Sequence, residues 1–394
     1  MLKNPVPDGR RGALRWLGGG ALAGLLPARL TLAAPATSPD GPRLVVVMLR
    51  GALDGLAAVP ALGDPAWASL HRPAEPAPAA AGAPAPAWLP LNDLFAMHPA
   101  LVQLHRWYGD GQLLVLHAVG SPYRERSHFD AQQMLESGGE RPFLLSTGWL
   151  GRALQASPQG GVALTSAMPL ALRGAEAAST WTATRSTGQR DDLLARVAEL
   201  YRDDPALRQA FARSMAQQGM AAVAVADNSL VSLARQAGSF LARADGPRVA
   251  WLETDGWDTH TQQAGRLARL LAGLDAGLAA LRESLGGTWG HTTVLVMTEF
   301  GRSAAFNGTG GTDHGTGGVA LLAGGAVAGG RVLTDWPGLA ATQLLDGRDL
   351  RPTTDLRSLL ASVVQRQFGL EPELLARGVL PGAVPLPQGL WRAA

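Results

Sequence analysis

The chain has no cysteine. That excludes disulfides and thiolate ligands, so any metal centre must be built from histidine and carboxylate. Lysine is nearly absent too: Lys3 is the only lysine among 34 basic residues. A Walker-type phosphate loop, which needs a lysine behind its glycines, is therefore ruled out. A dominant charge is also missing. Thirty-four Lys and Arg face 32 Asp and Glu, a net charge of +2, which gives no ground for binding nucleic acid or an anionic membrane. The preference for arginine accompanies abundant Ala, Gly and Pro and reads as coding bias. Behind its strands the chain lacks G-x-G-x-x-G, and it has neither H-E-x-x-H nor a G-x-S-x-G elbow. The nearest elbow is Gly301-Arg302-Ser303-Ala304-Ala305. It is followed only by His314, with adjacent Asp313 as the sole carboxylate between them, a poor arrangement for a serine triad.

What is present begins at the N-terminus. Arg10-Arg11-Gly12-Ala13-Leu14-Arg15 precedes an apolar stretch from Trp16 to Leu26, then small residues at Ala33-Ala34-Pro35-Ala36. This is the order of a signal peptide, and the paired arginines point to the twin-arginine route and to a periplasmic or secreted protein. The stretch is too short and glycine-rich for a transmembrane helix, so no stable membrane span is expected in the mature chain. Residues 1–36 hold five basic residues and one acidic residue; without them 29 basic residues face 31 acidic ones, a net charge of −2.

Residues 37–394 are long enough for one large α/β domain. Leu44–Leu49, Leu113–Leu116, Arg248–Leu252 and Thr293–Met297 are short continuous apolar runs suited to strands buried on both faces, and residues 317–327 predict another. Helical periodicity covers 98–111, 262–285 and 353–369, the last capped and ending at Gly369. A Pro/Ala-rich loop is expected at 72–90. Residues 190–222 predict two helices broken near Pro205, within a helical insertion around 160–225. Alternating strands and helices predict an α/β fold whose central sheet is mostly parallel.

The candidate chemistry follows the ends of these strands, where ligands bind in open α/β sheets. "DGWDTH" supplies Asp255, Asp258 and His260, and "GTDHG" supplies Asp313 and His314 among permissive glycines. Carboxylate and imidazole together suit Zn²⁺, Mn²⁺, Ca²⁺ or Mg²⁺, according to how many of each take part. "RSHFD" holds Ser127, His128 and Asp130. Ser127 at a helix start reads either as a nucleophile or as an ordinary N-cap. Arg302 and Arg50 stand out by position as anion-binding forks.

Taken in order, "LRGALDGL", "HPAL", "RSHFDAQ", "GWDTH", "TEFGR", "GTDHG" and "TTDLRS" resemble the exported bacterial DUF1501 family over roughly residues 43–382. That family resembles the alkaline phosphatase and sulfatase superfamily. The resemblance implies a single alkaline phosphatase-like α/β domain built as an α/β/α sandwich with a mostly parallel central sheet, and a metal-dependent site hydrolysing phosphate or sulfate esters, anionic small molecules or glycans among them. It implies metal ligands at Asp54, Asp258, His260, Glu299, Asp313 and His314, a nucleophile at Ser127 with Ser121 as competitor, and charge stabilisation by Arg302 or His128. Phe300 stands where the superfamily has a metal-binding histidine. That departure keeps open an alternative: an exported protein without catalysis, binding an anionic glycan or a protein partner.

Overall fold

The computed structural model describes residues 41–71, 87–183, 197–220, 227–387 and 389–392, which belong to the unit Thr37–Ala394. The expected export signal at residues 1–36 and most of the expected Pro/Ala-rich loop lie outside the described residues.

The strands are β1 (Arg43–Leu49), β2 (Leu89–Pro90), β3 (Ala96–Met97), β4 (Leu113–Gly120), β5 (Gly161–Ala163), β6 (Ala178–Thr180), β7 (Val249–Thr254), β8 (Thr292–Thr298), β9 (Gly318–Ala323), β10 (Arg331–Leu333) and β11 (Thr354–Asp355). Nine of them form one sheet in the order β10-β4-β9-β8-β1-β7-β5-β6, with β11 also paired to β4; β2 and β3 form a separate hairpin. Every pairing in the large sheet is parallel except those of β9, which runs antiparallel to both β4 and β8.

The continuous apolar runs have a simple cause. Strand side chains alternate between faces, and both faces are covered. From β1, Val45, Val47 and Leu49 enter one core with the helices Val102–Gly109, Leu230–Ala242 and Gln263–Leu285. Leu44, Val46 and Met48 enter the other, with the helices His128–Ser137, Trp149–Ala156 and Leu356–Phe368. The unit Thr37–Ala394 is thus an α/β/α sandwich, as the family resemblance implies, with the mostly parallel sheet that the run pattern predicts.

Differences lie at the margins. Residues 161–180 are not part of a helical insertion: they supply β5 and β6, which extend the sheet beyond β7. Helix in that region is described from Pro205 to Met220, opening on the proline as N-terminal prolines do. Residues 184–196 and 221–226 lie outside the described residues.

The topology fixes which edge carries chemistry. The C-terminal ends of β1, β4, β7 and β8 open on one edge of the sheet. Because β9 is antiparallel, the chain enters it from that same edge. Four loops therefore meet there, those leaving β1, β4, β7 and β8, and the last of them, which also leads into β9, carries His314.

Candidate metal centre

Three imidazoles converge at this edge. Nε2 of His314 lies 3.0 Å from Nε2 of His128 and 3.0 Å from Nε2 of His260. The Asp258 carboxylate closes the group, 2.9 Å from His260 Nε2, 3.3 Å from His314 Nε2 and 3.6 Å from His128 Nε2. His128, Asp258 and His314 offer ligand atoms that all lie within 4.8 Å of one another.

The far side of each ring explains this orientation. His128 Nδ1 meets the Glu299 carboxylate at 2.8 Å, His260 Nδ1 meets Asp313 at 3.1 Å, and His314 Nδ1 meets the carbonyl of Arg126 at 3.0 Å. A carbonyl only accepts, so His314 carries its proton on Nδ1. Ionised carboxylates impose the same tautomer on the other two. In that tautomer each Nε2 turns toward the other rings and the Asp258 carboxylate. A bound cation would satisfy such a donor set. Rings backed by carboxylate or carbonyl in this way are the usual outer arrangement of a histidine-bound metal.

Proton affinities follow from the same contacts. The hydrogen bond to Glu299 raises His128 above the ordinary imidazole value despite its burial. Burial, reinforced by the charge of His128, lowers His314. Burial alone would raise Glu299, yet donors from His128, Gln132 and the Gly51 amide bring it down. Asp313 is lowered chiefly by the Asn307 amide. Asp258, although its burial works the other way, is lowered by Arg302.

The sequence candidates thus sort into layers. His128, Asp258, His260 and His314 form the centre. Glu299 is fully buried; its Oε1 receives Gly51 N–H, His128 and Gln132, each at 2.8 Å, and its Oε2 receives the Thr298 hydroxyl at 2.9 Å. It backs a ring instead of joining the cluster, and Asp313 does the same for His260. Asp54 lies one layer further out. It caps the turn Gly55–Ala58 through Ala57 N–H and receives Gln263 Nε2 at 2.7 Å and the Thr312 hydroxyl at 3.0 Å. Arg302 has a buried guanidinium committed to Asp258, to the Thr312 carbonyl and to the Thr312 hydroxyl, so it orients Asp258 and faces protein on all sides. Asp255 is exposed and outside the cluster. Arg50 is spent on Glu136, Glu253 and Gln132.

Ser127 occupies the N-cap position of the helix His128–Ser137, but its hydroxyl makes no capping bond. It is half-buried and lies against the phenol of Tyr123, which donates to Asp130 at 3.1 Å. Ser121 is buried at the end of β4, and its hydroxyl receives Tyr123 N–H at 3.3 Å. Phe300 walls the centre, its ring 4.8 Å from that of His128 and 5.2 Å from that of His314.

Sequence reasoning missed the amides and hydroxyls that hold these layers: Gln132, Gln263, Asn307 and Thr312. Asn307 donates to Asp313 at 3.0 Å and to the His260 carbonyl at 2.9 Å, while its own oxygen receives Thr309 and Gly311 N–H. Close approach explains one glycine here. A Cβ on Gly311 would sit 2.2 Å from the His260 carbonyl.

A family model described as "Protein of unknown function (DUF1501)" matches residues 42–379. No curated protein matches the chain. Solved structures similar to it include Ps i-CgsB in complex with k-i-k-neocarrahexaose, at 9% identity and TM-score 0.42, covering 87% of this chain and 75% of that one. The phosphonate monoester hydrolase of Agrobacterium radiobacter is similar at 12% identity and TM-score 0.40, covering 89% and 79%. The C-terminal periplasmic domain of EcEptC from Escherichia coli, in complex with Zn, is similar at 12% identity and TM-score 0.31, covering 72% and 73%.

Proposed function

The chain belongs to the DUF1501 family, and on that premise we propose that it is an exported, metal-dependent hydrolase of phosphate or sulfate esters, related to the alkaline phosphatase and sulfatase superfamily. The observation that carries this reading is the convergence of three imidazole Nε2 atoms and Asp258 on one point. Those four residues would hold one divalent cation. Three imidazoles to one carboxylate favour Zn²⁺ over Ca²⁺ or Mg²⁺, which prefer sites made of oxygen. The cation would supply Lewis acidity and fixed positive charge against the oxygens of an ester.

The protein's own groups do the rest. Glu299 and Asp313 keep His128 and His260 in the tautomer that frees Nε2, and Arg302 holds Asp258 still. Ser127, next in sequence to His128 and with a hydroxyl not spent on capping, is the nucleophile of this reading. It would attack phosphorus or sulfur, displacing the alcohol, which takes up the serine proton. Water would then hydrolyse the seryl ester, releasing phosphate or sulfate and restoring the serine, at a helix N-terminus whose polarity favours an anionic group.

Aryl phosphate and aryl sulfate assays on the folded protein, with and without added zinc, test the proposal. Turnover should require the metal and should vanish in Ser127→Ala with metal content unchanged. Turnover surviving that change would move the nucleophile to Ser121 or to water. A second reading, a metal-holding protein that binds an anionic glycan or a partner without catalysis, is favoured by the full commitment of Arg302 to protein groups. Zinc bound without turnover of either ester class would select it.

A further inference from the structure

Asp349 is fully buried and lies outside the ligand set and the carboxylates that back it. Its Oδ2 receives Nε and Nη2 of Arg126 at 2.9 and 2.7 Å, and its Oδ1 receives Nη1 of Arg348 at 3.1 Å. A buried carboxylate needs such partners, because desolvation otherwise outweighs its attractions. What matters is where the pair is attached at each end.

Arg126 has φ +59°, a left-handed backbone that side chains other than glycine rarely adopt. Glycine would take that conformation freely. An arginine held there implies that its side chain over-determines the backbone, and the ion pair to Asp349 supplies the restraint. It is the carbonyl of this residue that receives Nδ1 of His314 at 3.0 Å. At the other end, Asp349 closes a tight loop, its N–H and carbonyl paired with Leu345 at 3.0 and 2.8 Å. That loop is bridged to Ser303, whose N–H in turn donates to the Asp313 carbonyl at 2.8 Å. The ion pair therefore ties the segment before His128 to the array of short bridges that carries His314.

We propose that Asp349 is a positioning residue for His314: through Arg126 it holds the carbonyl that keeps the proton on Nδ1 and leaves Nε2 facing the centre. The inference rests on the proposed metal site only for one of its two readouts.

Asp349→Asn in the full chain is the test, with Asp346→Asn as control, since Asp346 also reaches Arg126 but at 3.4 Å and with its side chain 70% exposed. Two quantities are read: zinc affinity by competition with a chromophoric chelator, and the ¹⁵N shifts of His314 in metal-free, histidine-labelled protein at about pH 8, above the ordinary imidazole value. Asp349→Asn should weaken zinc binding about tenfold, the low end for outer-layer partners, and move His314 from one tautomer toward a mixture. Asp346→Asn should change neither. Wild-type values of both quantities in Asp349→Asn, or equal losses in the control, would overturn the proposal. Should Asp349→Asn not fold, Arg126→Gly removes the guanidinium while suiting the backbone. The same losses are expected from it, and their absence overturns the proposal. A wild-type chain that binds no zinc would defeat the functional reading alone, and the ¹⁵N shifts of the metal-free proteins would still decide the role of Asp349.

Discussion

Glu299 shows how one side chain changes meaning with its surroundings. Read in sequence, a carboxylate at a strand end is a metal ligand. In the fold its oxygens receive His128, Gln132, Gly51 and Thr298, and it acts on the ring of His128. Glu299→Gln keeps the volume and removes the charge, so zinc affinity should fall by about 10- to 100-fold. The pKa of His128, raised first of all by Glu299, should drop in an NMR titration. The raised value also sets a pH dependence. Zinc needs His128 deprotonated, so affinity should keep rising with pH above about 6.5, the ordinary imidazole value. Which acids and histidines gather was legible in sequence, because "GWDTH", "TEFGR" and "GTDHG" each follow or precede a strand. Which of them face the centre was not. That depends on side-chain directions across loops far apart in the chain, and on amides such as Asn307 and Gln132 that carry no signature.

Elements were legible where burial on both faces writes a continuous apolar run, as in β1, β7 and β8. β5, β6, β10 and β11 are two or three residues long and leave no such pattern. The run that became β9 gave no direction, because hydrophobicity does not distinguish parallel from antiparallel strands. Loop precision at the sheet edge is testable through glycine. In Gly311→Ala the new Cβ meets the His260 carbonyl at 2.2 Å, whereas in Gly308→Ala it meets nothing within 4 Å. Calorimetry should find Gly311→Ala destabilised by about 1–3 kcal/mol, as overpacked sites are, with weaker zinc binding, and Gly308→Ala near wild type. The buried strand histidine adds a second prediction. Burial pushes His117 down to about 4, and its Nε2 lies 2.9 Å from the Val59 carbonyl. The unfolded chain then binds more protons between about pH 6.5 and 4. Stability is full above that window and falls as pH drops through it, by up to about 3 kcal/mol for this group. His117→Gln should flatten that part of the denaturation profile.

For the whole molecule, a mostly parallel sheet covered on both faces places four loops at one edge, and three histidines from three of those segments meet there. Among the described residues no helix is long and apolar enough to cross a membrane. Residues brought together from positions 128, 258, 260 and 314 can be cross-linked by one cation only in the folded chain. Zinc at about 100 times its dissociation constant should therefore stabilise the protein by about 2.7 kcal/mol. The most direct measurement is zinc stoichiometry by calorimetric titration of the folded chain beside His314→Ala. One equivalent for the wild type and none for the variant is the expected result. No binding, two equivalents, or binding unchanged by His314→Ala would contradict the centre.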